Sequence, residues 1–201
     1  ISGSGVRIRV EGERIERFLV RLSKEIPPVA EIQDLKVARV LPIGYEGFKI
    51  LPSDREAHAE SIVPPDLPIC EDCLIEVFDT GDRRHGYAFN SCAYCGPRYS
   101  MMHSTPYDRS DTSMSDFPLC SACASEYDDP YNARRFHAQG TSCPTCGPSL
   151  WLTDSEGRKL ETSRAITEAA KLIDEGKIVA LKGLGGFHVS ASPFDDSVVQ
   201  K

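Results

Sequence analysis

Eight cysteines, all that the chain contains, fall as four Cys-x-x-Cys pairs: Cys70/Cys73, Cys92/Cys95, Cys120/Cys123 and Cys143/Cys146. Two intervening residues let the backbone turn so that both sulfurs face one ion, and two such pairs complete the four-thiolate tetrahedron of a structural zinc site. Eight thiolates therefore make two sites. The second pair of each half continues into Gly-Pro, at Cys95-Gly96-Pro97 and Cys146-Gly147-Pro148. A glycine after the second ligand tolerates positive φ and lets amides fold toward the sulfurs, and the proline stops a helix from continuing.

Other cysteine chemistries fit less well. The chain shows no signal peptide and no transmembrane run, so it reads as cytoplasmic, where structural disulfides are rare. A redox Cys-x-x-Cys needs a thioredoxin-like βαβ setting, which surrounds none of the four pairs. Rubredoxin-type iron stays open, because four tetrahedral sulfurs suit either metal.

The pairs also reveal a repeat. Cys70 to Cys120 is a step of 50 residues and Cys95 to Cys146 a step of 51, with 18 residues separating Cys73 from Cys92 and 19 separating Cys123 from Cys143. Glu76 is answered by Glu126, and Arg83-Arg84 by Arg134-Arg135. The simplest pairing places Cys70, Cys73, Cys92 and Cys95 on one ion and Cys120, Cys123, Cys143 and Cys146 on the other, although spacing alone leaves a crossed arrangement open. The arginine pairs read as solvated loop faces. His85 and His137 are not needed as ligands, since the thiolates already fill both sites.

These ligands sit within an ordinary soluble composition, 40% hydrophobic and 26% charged, with a net charge of -7. That acidic balance argues against nucleic-acid binding, which draws on a basic surface. Upstream, residues 5–10 alternate like a half-buried strand. Ile15, Phe18, Leu19, Leu22 and Ile26 then share one face of a helix that Pro27-Pro28 ends. Residues 35–41 and 48–51 read as two further strands, giving a β-α-β-β unit with little core of its own. A proline-bearing linker covers 52–65, the cysteine repeats 66–148, and the polar stretch 106–114 between the halves reads as a plain connector.

Beyond the last cysteine, Asp154-Ser155-Glu156-Gly157 reads as a hairpin turn. A helix is expected over 163–174, with Ile166, Ala169, Ala170 and Ile173 on one face and Gly176 as its C-terminal cap. Residues 178–181 then form an apolar run suited to a strand buried on both faces. It leads into Lys182-Gly183-Leu184-Gly185-Gly186-Phe187-His188. Glycines after a buried strand permit close approach of a ligand, and a lysine there can meet an anion. The candidate substrate residues are thus Lys182, Gly183, Gly185, Gly186 and His188. The stretch matches neither a Walker loop nor a dinucleotide fingerprint, and an unliganded glycine turn explains it equally well.

Taken together, the β-α-β-β segment ending in Phe48-Lys49-Ile50, the four Cys-x-x-Cys pairs, Pro106-Tyr107-Asp108-Arg109, Arg134-Arg135-Phe136-His137-Ala138 and the final Lys182-to-His188 heptapeptide resemble the HypF family of hydrogenase-maturation carbamoyltransferases. The resemblance spans essentially the whole chain. It implies an α+β interior slice of a large enzyme. Residues 1–51 would be the C-terminal half of an acylphosphatase-like (ferredoxin-like) domain, 66–148 a double zinc-finger module, and 149–201 the start of a YrdC-like α/β domain.

In that family, carbamoyl phosphate yields carbamate, which ATP converts to carbamoyl adenylate. The carbamoyl group then passes to the C-terminal cysteine of a HypE-type partner, on the way to the cyanide ligands of nickel-iron hydrogenase. The resemblance thus implies two structural Zn2+ ions, with ATP and carbamoyl phosphate as substrates of the full-length enzyme. The phosphate-binding arginine loop and catalytic asparagine of the acylphosphatase-like domain would lie before Ile1, so no catalytic residue is assigned and the slice alone is expected to be inactive. YrdC-type binding of double-stranded RNA, DNA binding and membrane association are not expected. Two readings from other classes stand beside this one: a non-enzymatic zinc-dependent interaction scaffold and a zinc-ribbon nucleic-acid binder.

Overall fold

The computed structural model describes residues 5–52 and 63–200. The chain divides into two compact units, Ile1–Gly147 and Pro148–Lys201. Residues 53–62, and with them most of the expected linker, lie outside the described residues.

In the first unit, α1 (Ile15–Lys24) forms where the periodicity places it, with Phe18, Leu19 and Leu22 half-buried. It stops ahead of Pro27-Pro28, and Arg21 pairs with Glu25 one turn on at 2.6 Å. The strands expected at 5–10, 35–41 and 48–51 do not form. Alternation records which face a strand would bury, whereas a strand persists only through neighbours that pair with it. Here Val6, Val37 and Val40 are exposed. A carboxylate just after the first segment reaches the loop between the other two: Glu11 accepts hydrogen bonds from the amides of Ile43 (2.8 Å), Gly44 (2.9 Å) and Tyr45 (3.3 Å).

The cysteine repeats build the rest of this unit around two short helices, α2 (Glu71–Phe78) and α3 (Ser121–Asp128), with three 3-10 turns between them. The core is small. Of ten buried apolar side chains among the described residues, five are Cys73, Cys92, Cys95, Cys123 and Cys143. The repeats therefore rely on the cysteine sites where a larger domain would use aliphatic packing.

The second unit holds α4 (Ala165–Asp174), an antiparallel hairpin of β1 (Val179–Gly183) and β2 (Gly186–Ser190), and α5 (Asp196–Val199). The turn at 154–157 forms, with Gly157 at φ +82° and an isolated bridge between Thr153 and Lys159. Gly176 caps α4 at φ +75°: its amide reaches Ile173 O at 3.0 Å and that of Lys177 reaches Leu172 O at 2.9 Å. The half-buried face of α4 is rotated from the expected one, with Leu172 and Ile173 inward and Ile166 exposed. Nor is β1 buried on both faces. Its one pairing partner among the described residues is β2, and Leu181 is 54% exposed.

Candidate metal centre

The first pair of each repeat is presented by a helix N-terminus. Cys70 and Cys120 are the N-cap residues of α2 and α3, both in extended backbone, and Cys73 and Cys123 lie fully buried in the first turns. Free amides and the helix dipole favour negative charge at this end, which suits thiolates.

The second pair of each repeat sits on a tight turn. The Cys95 amide points back to Cys92 O at 3.4 Å, and the Tyr94 amide donates to the Cys92 sulfur at 3.3 Å. In the other repeat, Cys146 and Gly147 amides both reach Cys143 O, at 3.1 and 2.9 Å. The two glycines that follow serve different needs. Gly96 adopts φ +89°, and a β-carbon there would also lie 2.5 Å from Ser91 Cβ. Gly147 has no positive φ to satisfy. A β-carbon on it would lie 2.1 Å from the Tyr87 hydroxyl and 2.6 Å from Ser142 Cβ, so the residue is small because the space is taken.

The sulfurs gather as two clusters, Cys70/Cys73/Cys92/Cys95 and Cys120/Cys123/Cys143/Cys146, with all four ligand atoms of each within 4.8 Å of one another. The crossed arrangement is not adopted. Cys70 to Cys92 spans 3.7 Å and Cys92 to Cys95 3.8 Å; Cys120 to Cys143 and Cys143 to Cys146 each span 3.8 Å. A regular tetrahedron with zinc–sulfur bonds of about 2.3 Å has edges of about 3.8 Å, whereas a disulfide needs about 2.05 Å. The donor set therefore fits a tetrahedral metal, and all eight cysteines are free thiols.

Electrostatics within the clusters point the same way. Hydrogen bonds from Cys73 and then Cys92 hold the Cys95 thiol down at about 3, while the same contacts seen from Cys73, from Cys92 and then Cys95, drive it upward. Burial pushes Cys123 up to about 12 against the pull of Arg83. Cys143 is buried too, but the amides of Thr145 and Cys146 outweigh that and bring it down to about 6. Sulfurs packed this closely cannot all be ionised without a cation among them, so metal binding and proton release are linked.

The arginine pairs are not solvated loop faces. Arg84 and Arg135 are each 2% exposed, and each pair crosses to the opposite repeat. Arg83 and Arg84 bind Glu126 of α3 at 2.6 and 2.5 Å, and Arg83 donates to the Cys123 sulfur from both terminal nitrogens at 3.3 Å. In return, Arg134 binds Glu76 of α2 at 2.6 Å and donates to the Cys73 sulfur at 3.0 Å, while Arg135 pairs with Glu76. Both carboxylates are held ionised: burial opposes this, but for Glu76 the Asn90 amide and the two arginines prevail, and for Glu126 the Arg84 and Arg83 pair does. These six charged side chains line most of a cleft of about 390 Å³. The signal was present in the sequence, since Glu76/Glu126 repeat along with the arginine pairs. Matched residues of opposite charge at a repeat spacing are partners in waiting, though pairing between rather than within repeats has no local signature.

The stretch 106–114 is likewise more than a connector. Arg109 spans three carbonyls, of Gln139 (2.7 Å), Thr141 (2.8 Å) and Phe117 (2.8 Å), and its amide donates to the Gln139 side chain at 2.8 Å. Thr112 is fully buried and Met114 nearly so. Residues beside the second repeat's ligands are thereby strapped to the link between repeats.

The heptapeptide 182–188 is a hairpin: Lys182 pairs with Phe187, Gly183 with Gly186, and Leu184-Gly185 make the turn with Gly185 at φ +78°. Lys182 lies over the Phe187 ring at 5.7 Å. His188 is opposite Leu181 and lies against Gly183, where a β-carbon would come within 2.8 Å of its Nε2. Lys182 and His188 consequently occupy opposite faces of the hairpin. Its glycines serve the turn and the histidine's approach.

Comparison with known proteins gives a consistent picture. The HypF finger family matches residues 69–102 and 119–153. The carbamoyltransferase HypF of Rhodobacter capsulatus is 47% identical over 187 residues, covering 92% of this chain and 24% of its own length. That of Synechocystis is 40% identical over 200 residues, covering 99% of this chain and 26% of its own length. A crystal structure of full-length HypF in the phosphate- and nucleotide-bound form superposes with a TM-score of 0.81 at 41% identity, over 92% of this chain and 24% of that one. The chain thus spans about a quarter of the length of these relatives. Two four-thiolate sites and a match to a finger family support two structural zinc ions.

Proposed function

Since this chain belongs to the HypF family, we propose that it is the double-zinc segment of a carbamoyltransferase, with Zn2+ bound by Cys70, Cys73, Cys92 and Cys95 and by Cys120, Cys123, Cys143 and Cys146. On this reading the whole protein uses carbamoyl phosphate and ATP, through carbamoyl adenylate, to carbamoylate the C-terminal cysteine of a HypE-type hydrogenase-maturation partner in the cytoplasm. Residues 1–51 belong to its acylphosphatase-like part, 52–65 to a linker and 149–201 to its YrdC-like part. A relative crystallised with phosphate and nucleotide supports the substrate class. Lys182, with Gly183, Gly185, Gly186 and His188, lies in the YrdC-like part, and its ammonium is the group suited to an anionic substrate there. No helix among the described residues is long and apolar enough to cross a membrane.

The observation that carries the reading is the pair of tetrathiolate clusters with tetrahedral edge lengths, embedded in a chain 47% identical to a carbamoyltransferase HypF. The segment's own role is architectural. Each zinc fixes helix to knuckle, and the clusters supply half of the buried apolar side chains among the described residues. Elemental analysis of the purified protein is expected to give two zinc ions per chain, with loss of structure on chelation. Carbamoyl-phosphate-dependent ATP turnover by the full-length protein is expected to fall on Lys182→Ala. Iron in place of zinc overturns the metal assignment, and unchanged turnover overturns that of Lys182. If full-length protein shows no such turnover while retaining zinc-dependent capture of a partner, the interaction-scaffold reading replaces the enzymatic one.

A further inference from the structure

The charge that balances each cluster comes from the opposite repeat. Four thiolates around a divalent zinc leave a net charge of about -2. Cys73 of the first cluster faces Arg134 and, at 3.9 Å, Arg135; Cys123 of the second faces Arg83 and, at 3.8 Å, Arg84. The crossing extends to the backbone that carries the knuckles. Arg135 donates to the carbonyl of Ser91, just before Cys92, and Arg84 donates to that of Ser142, just before Cys143, at 2.9 Å. The Ala93 amide, inside the first knuckle, donates to Arg134 O at 2.8 Å. Its counterpart in the second knuckle is Pro144, which has no amide hydrogen to give.

Each double-arginine loop also joins the helix and the knuckle of its own repeat. Residues 79–91 run from α2 to Cys92, and 129–142 from α3 to Cys143. A loop ordered by docking on the opposite cluster therefore brings its own two ligand pairs together. An unfilled cluster, in which some thiols stay protonated, presents less negative charge to draw the partner loop in, and that loop then holds its own cysteines less well.

We propose that the two zinc sites load as one cooperative unit, with Arg83 and Arg134 as positioning residues for the cluster of the opposite repeat. The inference rests on the zinc reading above and deepens it. Outer hydrogen-bond partners of metal ligands are worth roughly 10- to 100-fold in affinity. Arg134→Gln is accordingly expected to weaken the Cys70/Cys73/Cys92/Cys95 site by about that factor, well beyond its effect on the cluster of its own repeat, and Arg83→Gln is expected to do the reverse.

The test uses the full chain. Native mass spectrometry at one zinc per chain reads the cooperativity: mainly empty and doubly loaded molecules are expected, and a dominant singly loaded species or a statistical mixture overturns the proposal. Cadmium-113 at saturating metal gives one resonance per cluster, each identified by the larger shift it shows in Cys70→Ser or in Cys120→Ser. Arg134→Gln is expected to shift chiefly the resonance that Cys70→Ser moves; a change confined to the other resonance overturns the assignment. If Arg134→Gln fails to fold, Arg134→Lys, which keeps the charge but loses the fork, provides the same comparison at smaller amplitude. Absence of zinc from the purified protein overturns the zinc reading and this inference together, whereas two zincs bound independently overturn this inference alone.

Discussion

Three glycines separate the cost of backbone conformation from the cost of lost space around the clusters. Gly86 sits at φ +67°, and a β-carbon there would meet nothing within 4 Å, so Gly86→Ala bears only the left-handed penalty of about 1–2 kcal/mol. Gly147→Ala bears no such penalty but drives a β-carbon to 2.1 Å from Tyr87 Oη and 2.6 Å from Ser142 Cβ. Ordinary carbon contacts begin near 3.5 Å, so the backbone beside Cys146 must shift by about 1 Å. Overpacking of this kind costs about 1–3 kcal/mol, and the shift far exceeds the ~0.2 Å tolerance of metal–ligand distances. Gly96→Ala combines both effects, with φ +89° and a contact of 2.5 Å to Ser91 Cβ. Urea unfolding of zinc-loaded protein should therefore rank the variants Gly86→Ala, Gly147→Ala, Gly96→Ala in increasing cost. Chelator competition should show easier zinc loss for the last two only. Adding Tyr87→Phe to Gly147→Ala removes the shorter contact and should restore part of the loss. Gly147→Ala behaving like Gly86→Ala in both assays would refute the reasoning.

Arg109→Lys replaces a fork that spans three carbonyls with a single ammonium, leaving at least two of them poorly met. A loss of about 2–4 kcal/mol in denaturant midpoint analysis is expected, and a change under about 1 kcal/mol would count against the strap. His137 occupies the place of Gly86 in the second repeat and holds φ +49° with a side chain packed on Tyr127 and Phe136. His137→Gly should be close to neutral, because relief of about 1 kcal/mol of backbone strain offsets lost ring contacts of similar size; differential scanning calorimetry checks it. Asp66 is held below the usual carboxylate range, first by the Arg98 amide at 2.7 Å and then by that of Ser100 at 3.1 Å. A lowered folded pKa means that its contribution is full above the ordinary carboxylate value of about 4 and is lost as pH falls through it and below. The stability gap between wild type and Asp66→Asn should therefore be flat from about pH 8 to 5 and narrow below about 4. A gap unchanged at about pH 3 would contradict the assignment.

The metal sites were legible because their chemistry is local. A two-residue spacing constrains where two sulfurs point whatever surrounds them, and the repeat of 50 and 51 residues suggested which pairs belong together. Helices α1 and α4 were legible for the same reason, since a turn of helix closes its own hydrogen bonds within four residues. The expected strands at 5–10, 35–41 and 48–51 failed because a strand's bonds are made to another segment, and alternation cannot say whether one is in reach. Lys182 to His188 showed a related ambiguity, in which glycines placed for a hairpin turn read equally well as glycines placed for a ligand.

Sequence by itself pointed to tetrathiolate sites, to their number and to the eight cysteines that form them, and it placed the helices α1 and α4. Only the tertiary structure decided that each repeat keeps its own four cysteines, that Arg83-Arg84 and Arg134-Arg135 exchange repeats, that Arg109 ties the link to the second half, and that Gly147 is small for want of room. The arginine contacts join residues 8 to 62 positions apart. Their partners are selected by charge and volume after the chain has folded back, and nothing in the local order of residues specifies which of two equivalent repeats a side chain will meet.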